Sequence, residues 1–318
     1  MSDRLQAAAA AHQGILCTAD ATRLAVDSNA LARLVGSGTL VRVRRGAYVV
    51  ADTWAHATPE RRLDLCTRAV LRARATTAEA ATHQSALAVH GLPLYGVPVD
   101  VVDLAGAVSR VRRASGVRVH PADPSLDVVE VDGCRAVSVE VALAQVVLRH
   151  GREAALVPAD RALASGTADL GRLVALAARL AESSRSAVRA ERWLREADAA
   201  SESVGETRTR LLLTDLGHDV RSQVPIADSS GVVFARVDFL LGEKVIVEFD
   251  GLMKYADAAG REALAAEKQR EDLLRSLGYE VVRLTWADLA RPKRVEGSSD
   301  QRCGGLRRAR ITGRPDPT

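Results

Sequence analysis

A chain of 318 residues has room for two or three domains, each with a core of its own. Its 47% hydrophobic and 26% charged content is that of a soluble globular protein, and no apolar run approaches the roughly 20 residues that cross a bilayer, so no membrane role is expected. The net charge of +4 is unevenly spread: the stretch after Ala290 carries a local +5 and the body about −1, so any nucleic-acid affinity must come from local patches or from that tail.

The first 52 residues read as three helices and a hairpin. A helix around Arg4–His12 ends at Gly14, Thr18 is placed to cap ADATRLAV, and Ser28 to cap NALARLVGSG. LVRVRRGAYVV then alternates into a strand, an Arg-Gly turn and a second strand. This is the order of a winged helix-turn-helix, whose later helix can enter a major groove. Arg33 and Asn29 are the long polar groups of that helix; Arg42 and Arg44 should share a strand face, with Arg45 at the turn, where phosphates of double-stranded DNA would be met. A winged helix used as a protein–protein platform is the other reading.

Residues 53–200 read as a mixed α/β middle region: the helix PERRLDLCTRAVLRARA, the short helix THQSALAVHGL, the strands VDVVDLAG, GVRVHPAD and LDVVEVDGCRAVSV, then Ala-rich helices to Trp193. His83, His90 and His120 lack ligand spacing and read as structural, hydrogen-bonded histidines. Cys17, Cys66, Cys134 and Cys303 form no C-x-x-C pair, so neither a zinc site nor a disulfide framework is indicated; with no secretory leader in MSDRLQAAAAAHQ, the cytoplasm is the expected compartment. GTLVRVRRGAYVV and THQSALAVHGLPL together resemble the AbiEi-type antitoxin family, through Gly38, Leu40, Arg42, Arg44, Arg45, Gly46, Tyr48, His83, Ser85, Gly91, Leu92 and Pro93. That resemblance implies DNA binding for autoregulation and a cognate toxin protein as a partner.

From Ser203 the pattern becomes a compact α/β unit: the helix VGETRTRLLLTDLG, three strands (HDVRSQVPI, VVFARVDFLL, VIVEFDG), a long helix through REALAAEKQREDLLRSLG, and a last strand YEVVRLTW. Three of the chain's four lysines, Lys244, Lys254 and Lys268, fall among carboxylates here, in a sequence that otherwise writes positive charge as Arg. If Gly242-Glu243-Lys244 is a three-residue hairpin loop, Leu241 faces Val245 and Asp238 lies opposite Glu248, with Asp250 two residues on along Glu248's face. Like charges so close need a compensator, and Mg²⁺ or Mn²⁺, which take oxygen ligands, fit Asp238, Glu248 and Asp250. One residue more or less in the loop would turn one set of side chains away.

The spacing of Asp238 and Glu248 is similar to that of the PD-(D/E)XK nuclease superfamily, although Val237 stands at the nominal Pro and Asp250 at the usual Lys, with Lys254 the nearest lysine. DFLL and VIVEFDGLMKY, followed by Arg270, Leu274, Gly278, Tyr279, Val281 and Arg283, resemble the Vsr-like domain related to very-short-patch-repair endonucleases. The resemblance implies metal ligation by Asp238, Glu248 and Asp250, a water-orienting Lys254, an outer ligand at Glu206 and a cleft residue at Arg270. A helix-surface pair of Glu206 with Arg210 is the competing reading. The expectation is therefore an α+β chain: a winged helix-turn-helix (1–52), a mixed α/β middle (53–200), a restriction-endonuclease-like α/β domain (201–290) and a basic disordered tail (291–318). Its function is either that of a metal-dependent DNA endonuclease in phage defence or DNA repair, or that of a non-catalytic antitoxin-like regulator with a degenerate nuclease fold.

Overall fold

The computed structural model describes residues 1–76, 78–251, 258–291 and 295, with backbone alone for 258–266. Lys254 and nearly all of the basic tail lie outside the described residues. The chain is a mixed α+β structure in two compact units, Met1–Ala197 and Asp198–Thr318.

The first unit begins α1 (Asp3–Ala10), β1 (Ile15–Cys17), α2 (Thr18–Arg23), α3 (Ser28–Gly36), β2 (Leu40–Arg44) and β3 (Ala47–Val50). Strand β1, unexpected from its three residues, pairs antiparallel with β3, giving the order β1-β3-β2. The helix caps sit one residue earlier than expected. Cys17 precedes α2, its N–H donating to Asp20 Oδ2 at 2.9 Å, and Asp27 caps α3 by accepting from the Ala30 N–H at 2.7 Å. Leu5, Ala9, Leu16, Ala21, Leu31 and Leu40 close the small core between helices and sheet.

The other side of that sheet is not solvent. Ile15, Val43, Ala47 and Val49 enter the same core as Leu63, Leu65, Ala69 and Val70 of α5 (Pro59–Arg74), which follows the short α4 (Ala51–Ala55). Asp20 of α2, buried, accepts from Arg72 of α5 at 2.7 and 3.1 Å. Burial opposes its ionisation, but the Arg72 and Cys17 hydrogen bonds win and hold its carboxyl well below the usual range. The boundary expected at residue 52 therefore runs through one continuous core.

The chain continues through β4 (Ala80–Ala81), α6 (His83–Val89), β5 (Val102–Gly106), β6 (Arg112–Ala114), β7 (Val117–Pro121), β8 (Val128–Val131) and β9 (Cys134–Val137), all of which but the exposed β6 pack residues into that core. These strands form a six-stranded mixed sheet in the order β6-β7-β5-β4-β9-β8. Helices α7 (Val139–His150), α8 (Arg152–Ala164), α9 (Leu170–Leu180) and α10 (Ser184–Leu194) complete the unit, their Ala, Val and Leu positions filling the interior.

The second unit runs α11 (Val204–Asp215), β10 (Val220–Ala227), β11 (Val233–Leu241), β12 (Val245–Asp250), α12 (Ala258–Ser276), β13 (Glu280–Thr285) and α13 (Trp286–Leu289). Its sheet has the order β10-β11-β12-β13, with β10, β11 and β12 antiparallel and β13 parallel to β12 across the α12 connection. Strand alternation sends Phe239, Leu241, Val245, Val247, Val282 and Leu284 toward Leu213 of α11. Leu240 and Ile246 point the other way, to Leu274 of α12. A helix thus covers each face of the sheet. No helix among the described residues is long and apolar enough to cross a membrane.

Candidate functional site

The β11–β12 hairpin has the register that a three-residue loop dictates: Leu241 pairs with Val245, Leu240 with Ile246 and Phe239 with Val247. One step further, Asp238 Oδ2 accepts the Phe249 N–H at 2.8 Å. Glu248, buried on β12, accepts from Arg270 Nη2 of α12 at 2.8 Å, with Arg283 Nη2 of β13 3.9 Å from its other oxygen. Arg283 also contacts Glu267 at 2.8 Å and Glu271 at 2.9 Å.

Glu206 reaches the same place from the first turn of α11. Its Oε2 accepts from the Glu202 N–H and from Gln223 Nε2 of β10, each at 2.9 Å. Arg210, its expected helix-surface partner, lies 3.3 Å from Ser201 Oγ and 3.8 Å from Asp198. Helix α11 approaches β12 closely because residue 205 is glycine: a Cβ there would fall inside the Phe249 ring. Burial raises Asp238 to about 6, against the Phe249 hydrogen bond, and the charges of Glu206 and Glu248 add to the rise. Three acidic groups from three elements thus influence one another.

Asp250 sits exposed at the end of β12, opposite Thr285 of β13. The oxygens of Asp238, Glu248 and Asp250 do not form a trio within 4.8 Å of one another, as a preformed cation cage would. Nor does a lysine stand two residues after Glu248; Arg270 supplies the cation that contacts it.

In the first unit Arg33 of α3, Arg42 of β2 and Arg45 of the β2–β3 turn are exposed. Arg44 is different. The pairing of β2 with β3 slips between Arg42 and Arg44, so the alternation that would put both on one face is broken. The Arg44 guanidinium donates to Val43 O at 2.8 Å, Asp100 O at 2.9 Å and Gly116 O at 3.3 Å, which makes it a fastener of the wing.

Of the three histidines, His90 is structural, its Nε2 lying 2.8 Å from Val137 O. His83 and His120 are not isolated. Their rings stack with centroids 4.3 Å apart, and His120 Nε2 lies 2.5 Å from Asp103 Oδ1. Burial, then the neighbouring His120, pushes His83 down to about 3, leaving a neutral imidazole. Ligand spacing in sequence missed this trio because α6, β5 and β7 assemble it through the sheet; the parallel pairing of β5 with β7 brings His120 beside Ala105, two residues from Asp103.

Residues 3–51 match the family model described as transcriptional regulator, AbiEi antitoxin. No curated protein matches the chain.

Proposed function

We propose that the chain is a DNA-binding protein of the antitoxin-regulator kind whose second unit is a PD-(D/E)XK-type, Vsr-like phosphodiesterase domain. The match over residues 3–51 and the exposure of Arg33, Arg42 and Arg45 support duplex binding by the first unit. A toxin protein is the partner that the matched family suggests. For the second unit, the order α11-β10-β11-β12-α12-β13 supports the nuclease reading, since it sets three antiparallel strands between two helices and adds a parallel fourth.

The observation that carries the catalytic reading is the convergence of Glu206 and Glu248 on Asp238, which burial first, and then those two charges, raise to about 6. Clustered carboxylates at that cost suit a site that receives a divalent cation. Asp238 and Glu248 would hold Mg²⁺ or Mn²⁺, with Glu206 as an outer partner, and Asp250 would complete the set only by movement at the end of β12. A bound ion there would polarise a phosphodiester oxygen and acidify water. Glu206, which accepts a hydrogen bond from Gln223, would be held in place to orient that water. Arg270, released from Glu248, is placed to meet a phosphate oxygen.

A second reading has its own support. Arg270 and Arg283 already neutralise Glu248, as they would in a nuclease fold kept only as a regulator's binding platform. Plasmid nicking separates the two. With Mg²⁺ or Mn²⁺ the wild-type chain is expected to nick, and Asp238→Ala or Glu248→Ala to lower the rate by about 10²–10³-fold while circular dichroism is unchanged. Plasmid left intact by wild-type protein, with a promoter-fragment gel shift retained in EDTA, gives the regulator reading instead.

A further inference from the structure

We propose that His83, Asp103 and His120 form a site for a single zinc-class divalent ion in the first unit, separate from the carboxylates of the second. Each residue offers one ligating atom, and these atoms all lie within 4.8 Å of one another. Among the described residues this is the group of His, Cys, Asp and Glu side chains that meets that condition. Tetrahedral zinc bonds of about 2.0–2.1 Å place ligand atoms roughly 3.3 Å apart, so modest imidazole rotations close the trio.

The supports of the trio are those of a ligand set. Asp103, fully buried, is fixed from two sides: its Oδ2 accepts from Gln84 Nε2 at 2.6 Å and its N–H donates to Ser85 Oγ at 2.9 Å. Such outer hydrogen bonds orient a ligating carboxylate. The His83 main chain is held as well, its N–H donating to Gln145 Oε1 at 3.0 Å. His83 Nδ1, by contrast, is buried and has no hydrogen-bond partner, which a purely structural network would have supplied. Two imidazoles and one carboxylate select a borderline-soft ion such as Zn²⁺ over Mg²⁺, which prefers an all-oxygen shell.

The competitor is also visible. Arg118 Nη1 lies 3.1 Å from the same Asp103 Oδ1 that His120 contacts, so an incoming ion must displace that guanidinium. The fourth coordination position then opens beside a permanent cation and takes a small anion or water. Arg118 thus opposes metal entry, and its removal gives a test of opposite sign to loss of a ligand.

The experiment is a Zn²⁺ titration of the EDTA-treated full chain by calorimetry, with Co²⁺ absorption as a second readout of ligand geometry. It is made in an Asp238→Ala background so that uptake by the second unit does not contribute. We expect one Zn²⁺ per chain, no Mg²⁺ response, and a tetrahedral Co²⁺ spectrum. His83→Gln and Asp103→Asn should each weaken uptake at least about 10-fold, since losing even an outer partner of a metal ligand costs about that much. Arg118→Gln should tighten it by about the same factor through loss of a like charge, and His90→Gln should change nothing. No Zn²⁺ uptake, or uptake indifferent to His83→Gln in a variant that keeps its circular dichroism, overturns the site. Because His83 lies at the start of α6 with one side-chain nitrogen unpartnered, its Gln variant remains interpretable even where Asp103→Asn unfolds. Nicking by the second unit is read separately, so failure of that activity and failure of this site are distinguishable.

Discussion

Asp238 is raised to about 6 by burial and then by Glu206 and Glu248, so the folded chain binds its proton more tightly than the unfolded chain does. The sign follows: the penalty from this group is absent below the unfolded value near ~4, grows as pH rises through about 6, and is complete above it. In EDTA, Asp238→Asn should therefore stabilise the protein at pH 8 by about 1–2 kcal/mol, partial exposure allowed for, with the gain vanishing near pH ~4. Urea unfolding at the two pH values checks this, and a variant less stable than wild type at pH 8 would contradict the electrostatic account. The partnership of Asp238 with Glu248 was legible in sequence because the hairpin loop sets it. That of Glu206 was half legible: its helix position was plain, but Gln223 reaches it from a residue with φ of +51°, which no periodicity announces. Arg44 was misleading for a related reason, since strict alternation cannot foresee the slip in the β2–β3 pairing.

The packing of α11 on β12 depends on an absent methyl group. At Gly205 an added Cβ meets the Phe249 ring, which is itself held edge-on to Trp286 with centroids 4.9 Å apart. Gly205→Ala should cost about 1–3 kcal/mol by overpacking and draw Glu206 away from Asp238. Thermal unfolding would register the first effect. Loss of nicking activity in the fraction that remains folded would register the second, and a variant with wild-type stability would show that the ring has room to turn. Among elements, the long ones were legible: α5 from Pro59 onward, and the α12–β13 pair ended and begun around Gly278. The short ones were not. β1 and β4 have three residues or fewer and pair with partners far along the chain, and β6, equally short, is an exposed edge strand, so no apolar pattern could mark them.

Across the molecule, the proposal of duplex binding makes a prediction about salt. The double variant Arg42→Ala/Arg45→Ala should weaken binding to any duplex and flatten the dependence of log K on log salt by about 2. Arg44→Ala should leave that slope unchanged and lower stability instead, because its guanidinium is bonded to Asp100 and Gly116 carbonyls. An unchanged slope in the double variant, measured by fluorescence anisotropy, would move the DNA surface away from the wing. The sequence pattern changes to a compact α/β unit at Ser203, and the second unit begins at Asp198; the interior of the first unit was not legible, because helix-sheet patterns show that a face is apolar without showing what covers it.

The inward residues of the β1-β3-β2 sheet, Ile15, Val43, Ala47 and Val49, share their interior with α5 and the helices beyond it. The segment 3–51, though it matches a family model by itself, is therefore not an exchangeable cassette. Excised after Val50 it would present those side chains to water as an adhesive surface. Recombination that moves this segment between proteins must carry the whole stretch through Ala197, or find another scaffold to roof the sheet.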